Sequence, residues 1–256
     1  MAISSVIPTE YQPAEDALVG KTILVTGASD GIGRAAALRF AKLGAAVALL
    51  GRDVAKLESV YDDIESLQRA QPAALPFDLA RTDEDAYQEL AALLDQHFDG
   101  LDGLLLNASL LGDRKPLAQY SWDQWQQLMQ VNVGSNFLLI QALLPMLAAP
   151  PKASIVLTSS GVGRRGKAYW GAYAVSKFAV EGLTQVLASE LENTSDIRCN
   201  AINPGAVNTR MRRAAYPAES PDKNPVPDDI LASYVYLMDD ASANVNGMSI
   251  DAQPAS

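Results

Sequence analysis

The chain has 256 residues, 48% of them hydrophobic and 20% charged, with a formal net charge of −10. That is enough apolar material for a full core, and it leaves no compositional basis for disorder. The acidic balance argues against nucleic acid, whose phosphates require clustered Lys and Arg, and against an anionic membrane surface.

The first 20 residues lack the positive start and apolar block of a secretory signal. They carry no chemical motif and read as an N-terminal extension, loose or laid against a neighbouring subunit, ahead of one domain at 21–256. From there, short apolar runs alternate with helical patterns. Strands are predicted at 22–27, 45–51, 73–79, 101–109, 153–160, 197–205 and 247–252, and helices at 31–43, 53–70, 83–97, 121–148, 172–192 and 227–239. Nearly continuous apolar strands between helices predict an α/β fold: a doubly wound, seven-stranded parallel sheet with helices on both faces. No apolar run is expected to reach the roughly 18 residues of a membrane span; "FLLIQALLPMLAAPP" is cut by Gln141 and Pro145. Residues 208–227, rich in Pro, Arg and Ala, read as a flap over a site or as a long surface loop. The single cysteine, Cys199, excludes a disulfide within the chain and points to a reducing cytoplasm. With one histidine, His97, and no Cys or His cluster, no metal site is expected.

The first chemical signal is "TGASDGIG", residues 26–33. Its glycines follow a strand and open a helix, where backbone N–H groups and the positive helix end can face a pyrophosphate. Gly27 would make the tight turn, Gly31 the close approach and Gly33 the helix–sheet packing. The second strand ends in "LLGRD". An acidic residue there would hold a ribose diol, but Gly51 holds the place and Arg52 follows; a guanidinium binds a 2′-phosphate through two parallel hydrogen bonds. This predicts NADP(H). The alternative is that Arg52 is a solvated loop charge and Asp53 serves the ribose. Farther on, Tyr173 and Lys177 stand four apart on one helix face.

Taken together and in order, these motifs resemble the short-chain dehydrogenase/reductase family over residues 20–252. They are "TGASDGIG", Asp78-Leu79, "LNAS" (106–109), Asn132 in "MQVNVGSNF", Ser160 thirteen residues before the tyrosine, "YAVSK" (173–177) and "NPGAVNT" (203–209). Within the family, "GAYAVSKFAVEG", "INPG" and "DAQP" resemble the YciK-type bacterial oxidoreductases. The resemblance implies a single-domain Rossmann fold and hydride transfer between a nicotinamide and a small carbonyl or alcohol. Tyr173 would be the general acid–base and Lys177 the cation that lowers its pKa and binds the nicotinamide ribose. Ser160 would donate to the carbonyl oxygen, and Asn132 would hold a relay water or, alternatively, merely bend its helix. Cofactor contacts are implied for Gly27, Ser29, Asp30, Gly31, Ile32, Gly33, Arg52, Asp78, Leu79, Asn107, Ala108, Tyr173, Lys177, Pro204, Gly205, Val207 and Thr209. Two positions depart from the family pattern: Ser109 stands where glycine is usual, and "DAQ" replaces Asp-Gly-Gly near the C-terminus.

Arg164, Arg165, Lys167, Arg210, Arg212 and Arg213 gather near the expected cleft and read either as steering an anionic substrate or an acidic carrier, or as surface loop charges in local ion pairs. Tyr169 and Trp170 are expected as an apolar pocket wall. Helix 172–192, with Val180, Leu183, Leu187 and Leu191 among its apolar positions, implies by resemblance a homodimer or homotetramer. Two other functions remain open at this point: a 3-oxoacyl-carrier reductase, and a non-catalytic NADP(H) sensor with a protein partner.

Overall fold

The structure is a computed structural model and describes residues 7–8, 10–69 and 71–254. In chain order its main elements are β1 (Thr22–Thr26), α1 (Gly31–Lys42), β2 (Ala46–Gly51), α2 (Val54–Glu65), β3 (Pro72–Pro76), α3 (Glu84–Asp95) and β4 (Gly103–Leu106). Then follow α4 (Trp122–Met129), α5 (Ser135–Leu147), β5 (Ala153–Thr158), α6 (Gly171–Leu191), β6 (Ile197–Asn203), α7 (Arg210–Ala215), α8 (Leu231–Met238) and β7 (Ser249–Asp251).

The strands form one sheet in the order β3-β2-β1-β4-β5-β6-β7, every neighbouring pair parallel. β4 and β5 are buried along their whole length, so both sheet faces need cover, which helical crossovers supply. Phe40, Leu57, Tyr234 and Leu237 fill one side from α1, α2 and α8. Leu94, Leu139, Leu143 and Val180 fill the other from α3, α5 and α6. Each such fully buried side chain contributes about 2 kcal/mol. The expected doubly wound Rossmann sheet is therefore the observed one. The chain winds outward from β1 to β3 and then returns to β4 on the other flank of β1. That reversal opens a crevice at the carboxyl ends of the strands.

Three segments differ from the sequence expectation. The single helix expected at 121–148 is α4, then a five-residue π-helical turn at Gln130–Gly134, then α5. By length and a mean hydropathy of 1.2, the run Trp122–Leu147 matches a membrane span, which corrects the expectation that no apolar run approaches one. Its Leu139, Leu143 and Leu147 are fully buried in the core, which accounts for its apolarity. Residues 208–227 are not all loop: Thr209 accepts from the Arg212 N–H at 3.1 Å and caps α7. Of the N-terminal extension, residues 1–6 and 9 lie outside the described residues. The remainder packs on its own chain rather than standing loose. Leu18 is fully buried and its N–H donates to the Leu43 carbonyl at 3.1 Å. The Tyr11 hydroxyl donates to Asp239 at 2.8 Å, and its ring meets Tyr236 edge-on at 4.9 Å.

Candidate active site

A cavity of about 600 Å³ lies along the carboxyl ends of β1 to β6. All the cofactor positions read from the sequence line it except Gly33, and Ser160 joins them; Asn132 does not reach it. Gly33 acts from behind. A Cβ there would collide with the Gly27 carbonyl oxygen and stand 2.8 Å from Asn107 Nδ2, so glycine is what lets α1 close onto the β1 turn. Gly27 itself has φ +67°, a left-handed conformation that L side chains rarely adopt. The turn is braced by Thr26, whose hydroxyl accepts from the backbone N–H groups of Asn107 at 2.9 Å and Ala108 at 3.0 Å. The Thr158 hydroxyl donates to Asn107 Oδ1 at 3.3 Å, so Asn107 ties three strand ends together at the floor of the cleft.

At the β2 end of the cavity the charges are exposed. A Cβ on Gly51 would lie 3.5 Å from Ser29 Oγ and 3.3 Å from Leu57 Cδ2, so the strand end stands bare beside the glycine loop. Among the described residues Arg52 makes no ion pair or hydrogen bond. Asp53 is occupied as the cap of α2, accepting from the Lys56 N–H at 3.2 Å. That weakens the alternative in which Asp53 holds the ribose. Asp30 caps α1 through the Gly31 N–H at 2.7 Å. Lys56 Nζ stands 3.8 Å from both Asp30 and Asp53 and lines the same cavity, giving a second cation that sequence reading missed. Nothing distinguished Lys56 in the sequence from a surface lysine on a helix. The donor set fits a phosphorylated dinucleotide: an unpartnered guanidinium and an ammonium at one end, backbone N–H groups at a helix start in the middle.

At the β5–α6 end the charges are buried. Tyr173 and Lys177 are 7% and 2% exposed. Lys177 Nζ donates to the Thr158 carbonyl at 2.7 Å and stands 5.5 Å from the centre of the Tyr173 ring. Burial pulls the Lys177 ammonium down to about 8, with Glu181 one helical turn on acting against the fall. Burial also pushes the Tyr173 phenol up to about 12, while the neighbouring Ser160 hydroxyl draws it down. In the protein alone burial is the larger influence on the Tyr173 phenol. The site holds a neutral phenol, suited to giving a proton.

Asn132 lies in the π turn with its side chain fully used. Its Oδ1 accepts from the Leu110 N–H at 2.7 Å, and its Nδ2 donates to the Leu110 carbonyl at 2.9 Å and to Ser176 Oγ at 3.0 Å. The helix-bending reading therefore accounts for the side chain, which pins the chain after β4 to α6.

The six cations near the cleft divide. Arg164 donates to Asp251 at 2.7 Å and approaches Glu181 at 3.4 Å, and Arg212 pairs with Glu219 at 2.6 Å. Arg213 donates to Asn208 at 2.7 Å. Arg165, Lys167 and Arg210 are exposed and make no ion pair among the described residues. Trp170 is a cavity wall, but Tyr169 is 58% exposed and is not. Arg114, which sequence reading passed over, lies 4.8 Å from the Trp170 ring centre and 4.6 Å from that of Tyr216, joining the loop after β4 to the flap. His97 is exposed and its Nδ1 meets the Leu93 carbonyl at 2.8 Å. Among the described residues no cluster of His, Cys, Asp and Glu could hold a metal.

The family model for the short chain dehydrogenases matches residues 21–220. The chain is 48% identical to the uncharacterized oxidoreductase YciK of Escherichia coli K12 over 95% of its own length and 96% of the relative's. A short chain dehydrogenase of Shigella flexneri 2a, solved in complex with NADP, superposes with a TM-score of 0.91 at 47% identity, over 94% of this chain and 100% of that one. One from E. coli CFT073, complexed with NADPH, gives 0.90 at 48% identity, over 94% and 100%. With its glycine loop, Tyr-x-x-x-Lys helix and doubly wound sheet meeting at one crevice, the chain belongs to the short-chain dehydrogenase/reductase family of oxidoreductases.

Proposed function

We propose that this oxidoreductase uses NADP(H) to move a hydride between the nicotinamide and a small carbonyl or alcohol. The observation that carries the reading is one cavity with Arg52, unpartnered among the described residues, at one end and Ser160 with the buried Tyr173 and Lys177 at the other. Solved relatives of nearly half-identical sequence are complexed with NADP and NADPH, which supports the cofactor.

The bound nicotinamide supplies or accepts the hydride; the chain supplies the rest. Arg52 and Lys56 hold the 2′-phosphate, which a diol-binding carboxylate would repel. The α1 N-terminus holds the pyrophosphate through Gly31 and Ile32 N–H groups. Ser160 donates to the carbonyl oxygen where negative charge develops. Tyr173, protonated at physiological pH, delivers its phenolic proton to that oxygen. Lys177 is fixed by the Thr158 carbonyl, orients the nicotinamide ribose and stabilises the tyrosinate left behind. Trp170 and Met211, with Leu110 and Leu111, form an apolar wall for the substrate body.

Arg164 and Arg212 are held by carboxylates, which leaves fewer free cations for an acidic acyl carrier than the sequence count suggests. We further propose that residues 21–256 act as one domain and that two or four copies associate in the cytoplasm. Phe137 on α5 and Phe178 and Val186 on α6, all about half exposed, are the apolar faces available for that contact. The test is NADPH consumption with a panel of ketones, aldehydes, quinones and β-keto esters. Turnover of at least one carbonyl is expected. Tight NADPH binding without any turnover would replace the enzyme with a sensor.

A further inference from the structure

The loop that follows β6, residues 204–207, carries Pro204, Gly205 and Val207 into the cavity beside Tyr173. Its backbone has left the sheet, so its carbonyls need partners from elsewhere. One side chain provides two of them. Gln253 Nε2, just beyond β7, donates to the Pro204 carbonyl at 2.7 Å and to the Ala206 carbonyl at 3.0 Å. The loop is thereby clamped on both sides of Gly205.

The clamp is itself held. Asn203 Oδ1 accepts from the Gly205 N–H at 3.1 Å, and Asn203 Nδ2 donates to Asp251 Oδ1 at 2.7 Å. The same Asp251 oxygen accepts from Arg164 Nη1 at 2.7 Å, and Arg164 also donates to Ser249 Oγ at 2.6 and 2.9 Å. Ser249 Oγ donates to Glu181 Oε1 at 2.9 Å, and Ser159 Oγ, next to Ser160, donates to that oxygen at 2.5 Å. A continuous polar chain therefore runs from the C-terminal strand to both the 204–207 loop and the Ser159 hydroxyl.

We infer that Gln253 is a positioning residue that sets the 204–207 loop against the nicotinamide. The inference rests on the cofactor reading above. It also makes a claim about geography. The ends of β6 and β2 are separated by four strand spacings, about 19 Å. The clamp acts on the nicotinamide half of the cofactor and not on the half that Arg52 holds. A residue with a purely structural role would not draw that distinction.

The experiment is calorimetric titration of the full-length protein with NADPH and, separately, with 2′,5′-ADP, which reaches only the β2 end. Loss of two neutral hydrogen bonds in Gln253→Ala is expected to weaken NADPH binding about tenfold and leave 2′,5′-ADP within about twofold. Gln253→Glu keeps the side chain's size but replaces the N–H donor with an acceptor aimed at two carbonyls, and is expected to weaken NADPH at least as much. It carries the same contrast should the alanine variant fail to fold. Unchanged NADPH affinity in the glutamate variant, or an equal loss for both ligands, would overturn the clamp. If the unaltered protein binds neither ligand, the cofactor reading falls and takes the clamp with it. If it binds both and only the contrast fails, the clamp alone is wrong.

Discussion

The two ends of the cavity solve the same problem, holding charge beside a ligand, in opposite ways. At the β2 end, Arg52 and Lys56 are exposed, and their carboxylate neighbours Asp30 and Asp53 are helix caps. Water screens them, and each acts nearly on its own. At the β5–α6 end, Tyr173, Lys177 and Glu181 are all buried, burial shifts the phenol and the ammonium in opposite directions, and Glu181 acts on Lys177. The difference shows where selectivity and chemistry reside. An exposed cation can choose a cofactor without disturbing the fold. A buried one can drive proton transfer, and it destabilises the protein when it is charged.

That contrast can be broken most severely at the tyrosine. Tyr173→Phe is expected to reduce kcat/KM for carbonyl reduction by about 10²- to 10⁴-fold, the usual worth of a general acid, with NADPH affinity little changed in calorimetric titration. Next comes Lys177. Its folded pKa, about 8, lies below the ordinary 10.5, so between those values the unfolded chain binds the extra proton. The contribution of Lys177 to stability therefore rises as pH increases from 8 to 10.5, by about 3 kcal/mol, while buried Cys199 and the buried tyrosines, whose pKa values are raised, act in the opposite sense. Chemical denaturation at stepped pH should show the rise as a growing difference in stability between the parent and Lys177→Met. At the exposed end, Arg52→Ala should raise the NADPH dissociation constant about tenfold and leave that for NADH unchanged, as expected for one charge-assisted contact to a phosphate.

The smallest effect is expected in the flap. Arg212 and Asn224 hold the Glu219 carboxyl down at about 2. A depressed carboxylate stabilises above its ordinary value of 4.5 and loses that contribution as pH falls through 2. Because the pair is solvated, Glu219→Gln should leave the melting temperature nearly unchanged while speeding amide exchange in residues 210–216.

Much of this molecule can be read from its residues. Continuous apolar strands betray a parallel sheet, and glycines at the β1–α1 turn mark the crevice, because both patterns are local. What escaped was non-local. Segment 121–148 reads as one helix, and its π turn carries Asn132, which bonds to Leu110 and Ser176, partners 22 and 44 residues away. Arg164 counted as a cleft cation until its contact with Asp251, 87 residues on, removed it. The ammonium beside Tyr173 is visible in Tyr-x-x-x-Lys, whereas the burial that pushes the phenol up is not. Gln253 offered no signal beyond an unexpected residue after Asp251.

The most direct measurement follows a label. The protein is incubated with NADPH deuterated at C4 of the nicotinamide and a carbonyl from the panel that supports turnover, and the alcohol is examined by mass spectrometry and NMR. The account predicts deuterium on the former carbonyl carbon, with the hydroxyl proton drawn from solvent through Tyr173. Product alcohol without deuterium, or the same rate of labelled product from Tyr173→Phe as from the parent, would contradict it.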